Sequence, residues 1–251
     1  MGGYVAAIAM RAAGAEATHR RPVSFYCHFL GPTRFDQIEL HVETLRSGRS
    51  VESLRVHVTQ ADRKVMDATV CIATDNTGLE HEVSSCPQVP QPDELRTLAD
   101  LKTEIGEQVA TFWSNFDARP IGFPLHWPPT GPEEPTWQQW HRLVPTSTFD
   151  DPWTDAARYV LLCDLPSWPA LVPHHAWKFD EHKPWWIAPT LDLYVAFHRP
   201  VPSEPWMLVE GQVPVAAEGL LGCHARLWST AGELVASGGG QGFFRPIPPH
   251  S

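Results

Sequence analysis

The stretch Pro22-Val23-Ser24-Phe25-Tyr26-Cys27-His28-Phe29-Leu30-Gly31-Pro32 aligns with Thr190-Leu191-Asp192-Leu193-Tyr194-Val195-Ala196-Phe197-His198-Arg199-Pro200, 168 positions further on. Downstream, Leu54, Val56 and Val58 alternate with Arg55, His57 and Thr59, and Cys223, Ala225 and Leu227 alternate with His224, Arg226 and Trp228 at nearly the same offset. Both copies then turn at a short polar step, Ala61-Asp62-Arg63 or Thr230-Ala231-Gly232, and resume as Val65-Met66 or Leu234-Val235. Alternation of period two is the mark of strands with one buried face. The chain therefore reads as two tandem copies of one unit. Ser24 in the first copy stands where Asp192 stands in the second, so chemistry is expected in the second.

A chain of 251 residues suits one large domain or two small ones, and the repeat decides for two. A net charge of -10 with a pI near 5.7 argues against nucleic-acid or anionic-membrane partners, which require clustered Lys and Arg. The five cysteines form no CxxC pair and sit within strand or helix patterns, as small apolar residues do, so a reducing, cytoplasmic setting is expected. No stretch approaches the roughly 20 apolar residues of a membrane span. Val5 to Met10 has no basic segment ahead of it, which speaks against a secretory signal.

Gly2 and Gly3 open an alanine-rich helix that Gly14 is expected to end. Strands are predicted over 22–30, 37–45, 50–61 and 64–74, with turn signals between them. Helix followed by consecutive strands indicates an α+β layout, an antiparallel sheet packed on one helix. The first unit spans 1–85 and is expected to lack its opening strand, which would leave a sheet edge unpaired. Prolines interrupt 86–135, a linker with a predicted helix over 93–108 and an entry strand over 111–119. The second unit, 136–251, reads as a strand at 136–144, a helix at 155–165, and strands at 189–198, 205–213, 219–229 and 233–245. Trp137, Trp140, Trp153, Trp168, Trp177, Trp185 and Trp186 concentrate there, expected to fill a core and wall a groove.

Asp192 shares a strand face with Tyr194, Ala196 and His198. A carboxylate there serves as general base in partly dry surroundings or is simply a solvated strand residue, and alternation alone favours the second. Gln241 follows Gly238-Gly239-Gly240, a run that suggests a bulge or a close backbone approach. Arg46 and Arg49 flank Gly48 in a hairpin-like loop, where they either meet the phosphates of a ligand or form a solvated turn.

Several ordered motifs resemble the acyl-CoA thioesterase II family. The opening Gly-Gly-Tyr with its Ala-rich helix, the Pro-x-Ser strand ending in Phe29-Leu30-Gly31-Pro32, and Val42 to Ser50 look like its N-terminal half. Ala188 to Asp192, Phe197-His198-Arg199-Pro200, Trp206-Met207-Leu208, and Gly232 to Ser237 ahead of Gln241 look like its C-terminal half. The resemblance implies a double hotdog fold, two tandem antiparallel sheets each wrapped around a long helix and joined into one layer. It implies hydrolysis of a fatty acyl-CoA by a water that Asp192 and Gln241 position and activate. It places Gly3 and Tyr4, at a helix start, beside the developing oxyanion, with Arg46 and Arg49 as possible CoA contacts. Neither metal nor other cofactor is implied, and a homo-oligomer is expected because hotdog sheets commonly continue across subunits. Relatives carry a Ser or Thr shortly after the Trp-Leu-Leu strand, where this chain has Glu210-Gly211-Gln212-Val213-Pro214.

That departure keeps a second reading open, an acyl-CoA-binding protein without turnover. A hydratase pairing of Asp192 with His198 is disfavoured because six strand residues separate them by about 20 Å. No GxSxG elbow is present. His174 and His175 have no second cluster at metal-ligand spacing. Gly238 to Gly240 lacks the Lys-Ser/Thr ending of a phosphate loop.

Overall fold

The computed structural model describes residues 2–178 and 186–246. Helix α1 (Gly2–Glu16) is followed by β1 (Arg21–Phe29), β2 (Glu39–Ser47), β3 (Val51–Gln60) and β4 (Arg63–Ala73). After the proline-rich segment come α2 (Leu98–Glu104), β5 (Phe116–Pro120), β6 (Thr136–Leu143), α3 (Pro152–Asp164) and α4 (Ser167–His175). The chain ends with β7 (Trp186–Ile187), β8 (Asp192–Phe197), β9 (Met207–Ala217), β10 (Leu220–Trp228), β11 (Leu234–Phe243) and β12 (Arg245–Pro246). Ten strands form one antiparallel sheet in the order β2-β3-β4-β1-β8-β11-β10-β9-β6-β5, and β7 pairs with β12 apart from it.

The repeat is visible in the central pairing. β1 and β8 are antiparallel neighbours, and Tyr26 stands directly opposite Tyr194, its counterpart in the aligned sequence. A local two-fold axis therefore passes between the two tyrosines, and His28 is opposite Asp192 just as Ser24 is opposite Ala196. The two units are thus fused into one layer. Helices α1 and α3 lie antiparallel on one face of it, because Gly3 abuts Asp164 at one end and Gly14 abuts Trp153 at the other.

Period-two patterning sends Leu54, Val56, Val58, Leu193, Val195 and Leu227 into a core that Ala6, Ala9 and Met10 of α1 and Val160 and Leu162 of α3 complete. Each large aliphatic side chain buried there contributes about 1.5–3 kcal/mol. Inside this layer the Arg158 guanidinium pairs with Asp155 and donates to the carbonyls of Ser147 (3.0 Å) and Glu204 (2.7 Å). It thereby ties two loops to α3. The linker covers the other face of the second unit: Cys86, Val89 and Leu95 pack on Trp140, Leu208 and Trp228, and Trp140 Nε1 donates to Pro90 O at 3.0 Å.

Several expected elements shift. Helix α1 passes through Gly14 to Glu16; a Cβ at Gly14 would sit 2.3 Å from Trp153, so that glycine permits the helix crossing rather than ending the helix. The helix expected over 93–108 is only Leu98–Glu104, since Thr97 accepts from Asp100 N and starts a new helix. The entry strand begins at Phe116, after a 3-10 turn at Thr111–Asn115. Helix α4 was not expected, because Pro169 and Pro173 lie within it. No described strand pairs with the outer edge of β2. Trp185 lies outside the described residues, whereas Trp140 and Trp153 are buried and Trp177 and Trp186 are 42% exposed.

Candidate active site

Asp192 opens β8 at the seam between the units, and Gln241 lies near the end of β11, the next strand. Between them the pairing slips by one residue. Tyr194 is opposite Gly239, yet Thr190 is opposite Gly242, so four steps on one strand match three on the other. A Cβ at Gly238, Gly239 or Gly240 would stand 2.0–2.1 Å from a carbonyl oxygen of Tyr194, Cys223 or Asp192. The glycine run is what lets β8 and β10 close on this bulge.

The slip turns the Asp192 carboxylate into a ladder acceptor: Gln241 N donates to Asp192 Oδ1 at 3.0 Å, and Leu191 N donates to Gln241 O at 2.6 Å. The two residues predicted from the sequence are therefore in contact, through the Gln241 backbone. The two residues border different recesses. Asp192 borders an open one of ≈ 680 Å³ with Tyr26, His28, Phe29, Leu30, Arg55 and others. Gln241 borders one of ≈ 10 Å³ with Asp164, Thr190, Cys163, Cys223 and Leu221, room for about one water molecule.

In the open recess Tyr26 Oη and His28 Nε2 are 2.7 Å apart. Partial burial, and next the nearby Asp192, push the Tyr26 phenol above its ordinary range. Arg55 donates to both oxygens of Asp67 (3.0 and 2.8 Å), and His57 Nδ1 lies 3.2 Å from the same carboxylate. The Arg55 hydrogen bonds hold the Asp67 carboxyl below the usual carboxylate range.

Gly3 and Tyr4 lie in the first turn of α1, where a helix leaves its N–H groups unsatisfied. The Gly3 N–H is already engaged, donating to Asp164 Oδ2 at 2.7 Å. Tyr4 is 52% exposed. Asp164, at the end of α3, also accepts from Thr190 Oγ1 at 2.8 Å. Burial raises its carboxyl pKa above the ordinary value, with those two hydrogen bonds opposing. The sequence reading missed Asp164; an acid closing a strongly apolar helix was the signal available. Burial likewise pushes the neighbouring Cys163 thiol up, and that of Cys223 to about 12.

Arg46 and Arg49 are not brought to Asp192. The cross-strand row of Arg46 runs through Ser53, Cys71, Ser24 and Ala196, whereas that of Asp192 runs through His28, Asp67, His57 and His41. The rows are about 13 Å apart along the strands, and β2 lies four strands, about 19 Å, from β8. Gln212 is three strands from Asp192 and opposite His224 and Thr136. Thr190, opposite Gly242 beside the bulge, carries a hydroxyl. His198 turns to Ser237, its Nε2 2.8 Å from that Oγ. Among the described residues no His, Cys, Asp and Glu gather as a metal centre, and no helix is long and apolar enough to cross a membrane.

Family models match both halves: "Acyl-CoA thioesterase N-terminal domain" over residues 1–73 and "Acyl-CoA thioesterase C-terminal domain" over residues 84–241. The chain belongs to the acyl-CoA thioesterase family. As a member it is a thioester hydrolase with the double hotdog fold. It is 25% identical to human acyl-coenzyme A thioesterase 8, over 98% of this chain and 81% of that protein. Acyl-CoA thioesterase II TesB2 from Mycobacterium marinum superposes with a TM-score of 0.80 at 23% identity, covering 99% of this chain and 90% of that one. The dehydratase domain of the CurJ module of curacin polyketide synthase shares the fold alone, with a TM-score of 0.55 at 10% identity over 98% and 83% of the chains.

Proposed function

We propose that this family member hydrolyses fatty or related acyl-CoA thioesters at one centre per chain, on the seam where Asp192 meets Gln241. The observation that carries the reading is the 3.0 Å hydrogen bond from Gln241 N to Asp192 Oδ1. It fixes the carboxylate through one oxygen and, among the described residues, leaves Oδ2 without a protein hydrogen bond. Oδ2 takes the proton of an attacking water, a contribution of about 10²- to 10⁴-fold. The Gln241 backbone N–H orients the carboxylate, and its exposed side chain turns from the small recess it borders to direct that water once substrate is seated. The thioester oxygen turns to the first turn of α1, where a helix N-terminus carries about half a positive charge. Because Asp164 holds the Gly3 N–H, the Tyr4 N–H is the donor for that oxygen. Arg46 and Arg49 are placed too far from Asp192 to act at the reacting end, and any role for them lies with the distal CoA phosphates.

The equivalent place in the first unit supports a single centre. There Ser24 and Cys71 stand opposite each other on β1 and β4, without a carboxylate or an amide. A lipid-metabolic role in the cytoplasm, as a homo-oligomer, goes with this reading, as do the unit boundaries at 85 and 136. The second reading, acyl-CoA binding without turnover, rests on the absence of a hydroxyl between Glu210 and Pro214. Free CoA release from a panel of acyl-CoAs, in the native protein and in Asp192→Ala, separates them. Turnover lost in the variant supports the hydrolytic centre; equal rates in both remove Asp192 as the base; tight binding with no turnover in the native protein favours the second reading.

A further inference from the structure

Asp164 is partly buried, and beyond holding the Gly3 N–H it has no role assigned above. Its two oxygens reach in two directions. Oδ2 accepts from Gly3 N (2.7 Å), in the first turn of the first unit's helix, and Oδ1 accepts from Thr190 Oγ1 (2.8 Å), two residues before Asp192. The contact is tight: a Cβ at Gly3 would stand 2.8 Å from Asp164 Cβ and 3.0 Å from Leu161 O. The single-water recess beside Gln241 is lined by Asp164 and Thr190 themselves. At the other end of the helix pair the arrangement differs, since α3 is capped from its own chain end, Asp151 Oδ2 accepting Thr154 N at 2.9 Å. Of the two helices, α1 is the one capped from the opposite unit.

We propose that Asp164 is a positioning residue of the hydrolytic centre, its carboxyl bridging the start of α1 in one unit to the segment carrying Asp192 in the other. The inference rests on the reading of Asp192 as base. The bridge fixes the distance between the oxyanion donor at Tyr4 and the base, two groups that different halves of the chain supply. A displacement of about 1 Å between such groups costs on the order of a hundredfold in rate. A carboxyl in this place also completes the donors that burial would otherwise leave unpaired. Asparagine conserves both links, because its oxygen accepts from Gly3 N and its amide donates to Thr190 Oγ1. Alanine conserves neither.

The test uses the full chain, with Asp164→Ala, Asp164→Asn and the milder Thr190→Val, and two readouts. Steady-state release of CoA from decanoyl-CoA is expected to show kcat lowered about tenfold or more in Asp164→Ala and less in Thr190→Val, KM changed by less than about threefold, and most of kcat restored in Asp164→Asn. Amide hydrogen exchange in the first turn of α1 is expected to quicken about tenfold in Asp164→Ala and to return towards native in Asp164→Asn. Should the alanine variant not fold, Thr190→Val carries both readouts. Native kcat and native exchange in Asp164→Ala, or in Thr190→Val where it must stand in, overturn the proposal. So does an asparagine variant as impaired as alanine in both. Loss of the underlying reading looks different: Asp192→Ala then keeps native turnover, while the exchange measurement still decides whether Asp164 holds the helix.

Discussion

The two units share a frame and differ at each place where chemistry or exposure is decided. In the second unit β9 is covered by β6 and then β5, whereas β2, the outermost strand of the first, ends the sheet. At the seam the second unit carries Asp192 and Gln241 across a glycine-rich bulge; the first carries Ser24 and Cys71. Helix α3 starts on its own Asp151, and α1 starts on Asp164 from the other unit. A two-fold frame makes two equivalent places geometrically; on the proposed reading the side chains at one of them supply the chemistry and the other half supplies a helix start.

The comparison breaks most sharply by exchange of the equivalent residues. Asp192→Ala is expected to lower kcat for CoA release by about 10²-fold or more, while Ser24→Ala leaves it within about twofold; a first-unit variant as damaging as the second would mean two working centres. Next in size is the helix crossing. Gly14→Ala drives a Cβ to 2.3 Å from Trp153, an overpacking expected to cost about 1–3 kcal/mol. For a chain of this length each kcal/mol lowers Tm by about 2–4 °C, which a thermal melt with unchanged midpoint would refute.

Histidine burial separates the units next. His28, His41 and His57 of the first stand on the sheet's polar face, whereas His141 on β6 is 3% exposed, stacks on Trp113 and among the described residues has no partner for Nδ1. Burial lowers its pKa to about 3, so below its unfolded value of about 6.5 the unfolded chain binds a proton that the fold does not. Stability is therefore expected to fall as pH drops from about 6.5 towards 3, and His141→Phe to flatten that limb in denaturant titrations. An acid limb of equal slope in the variant would assign it elsewhere. The smallest effect is expected from Arg46→Ala and Arg49→Ala, with KM for acyl-CoA changed by less than about twofold; a much larger rise would bring the CoA phosphates to the β2–β3 hairpin.

Much of this molecule is legible from period and repeat. Leu54, Val56 and Val58 announce their strand because a sheet with one buried face leaves an alternating record, and the aligned Tyr26 and Tyr194 mark the duplication. Asp192 is legible as a difference between copies, and its partnership with Gln241 as what the family resemblance implies. Gly14 is misleading, since a glycine that permits a helix crossing and one that ends a helix look the same in one dimension. Helix α4 is hidden by Pro169 and Pro173, which its contacts with the sheet override: Ala170 and Leu171 pack on Val213 and Leu221. Asp164 is hidden because its partners, Gly3 and Thr190, lie 161 and 26 residues away.

Patterning alone thus determined the duplicated sheet and the helix facing it, because burial of alternate side chains is a local rule repeated along the chain, while the ordered family motifs pointed to the acid and the amide. Tertiary structure alone decided which groups meet. The one-residue slip that sets Gln241 N on the Asp192 carboxylate, and the helix crossing that sets Gly3 on Asp164, arise from close approach of distant backbones, and no spacing within one segment encodes that approach.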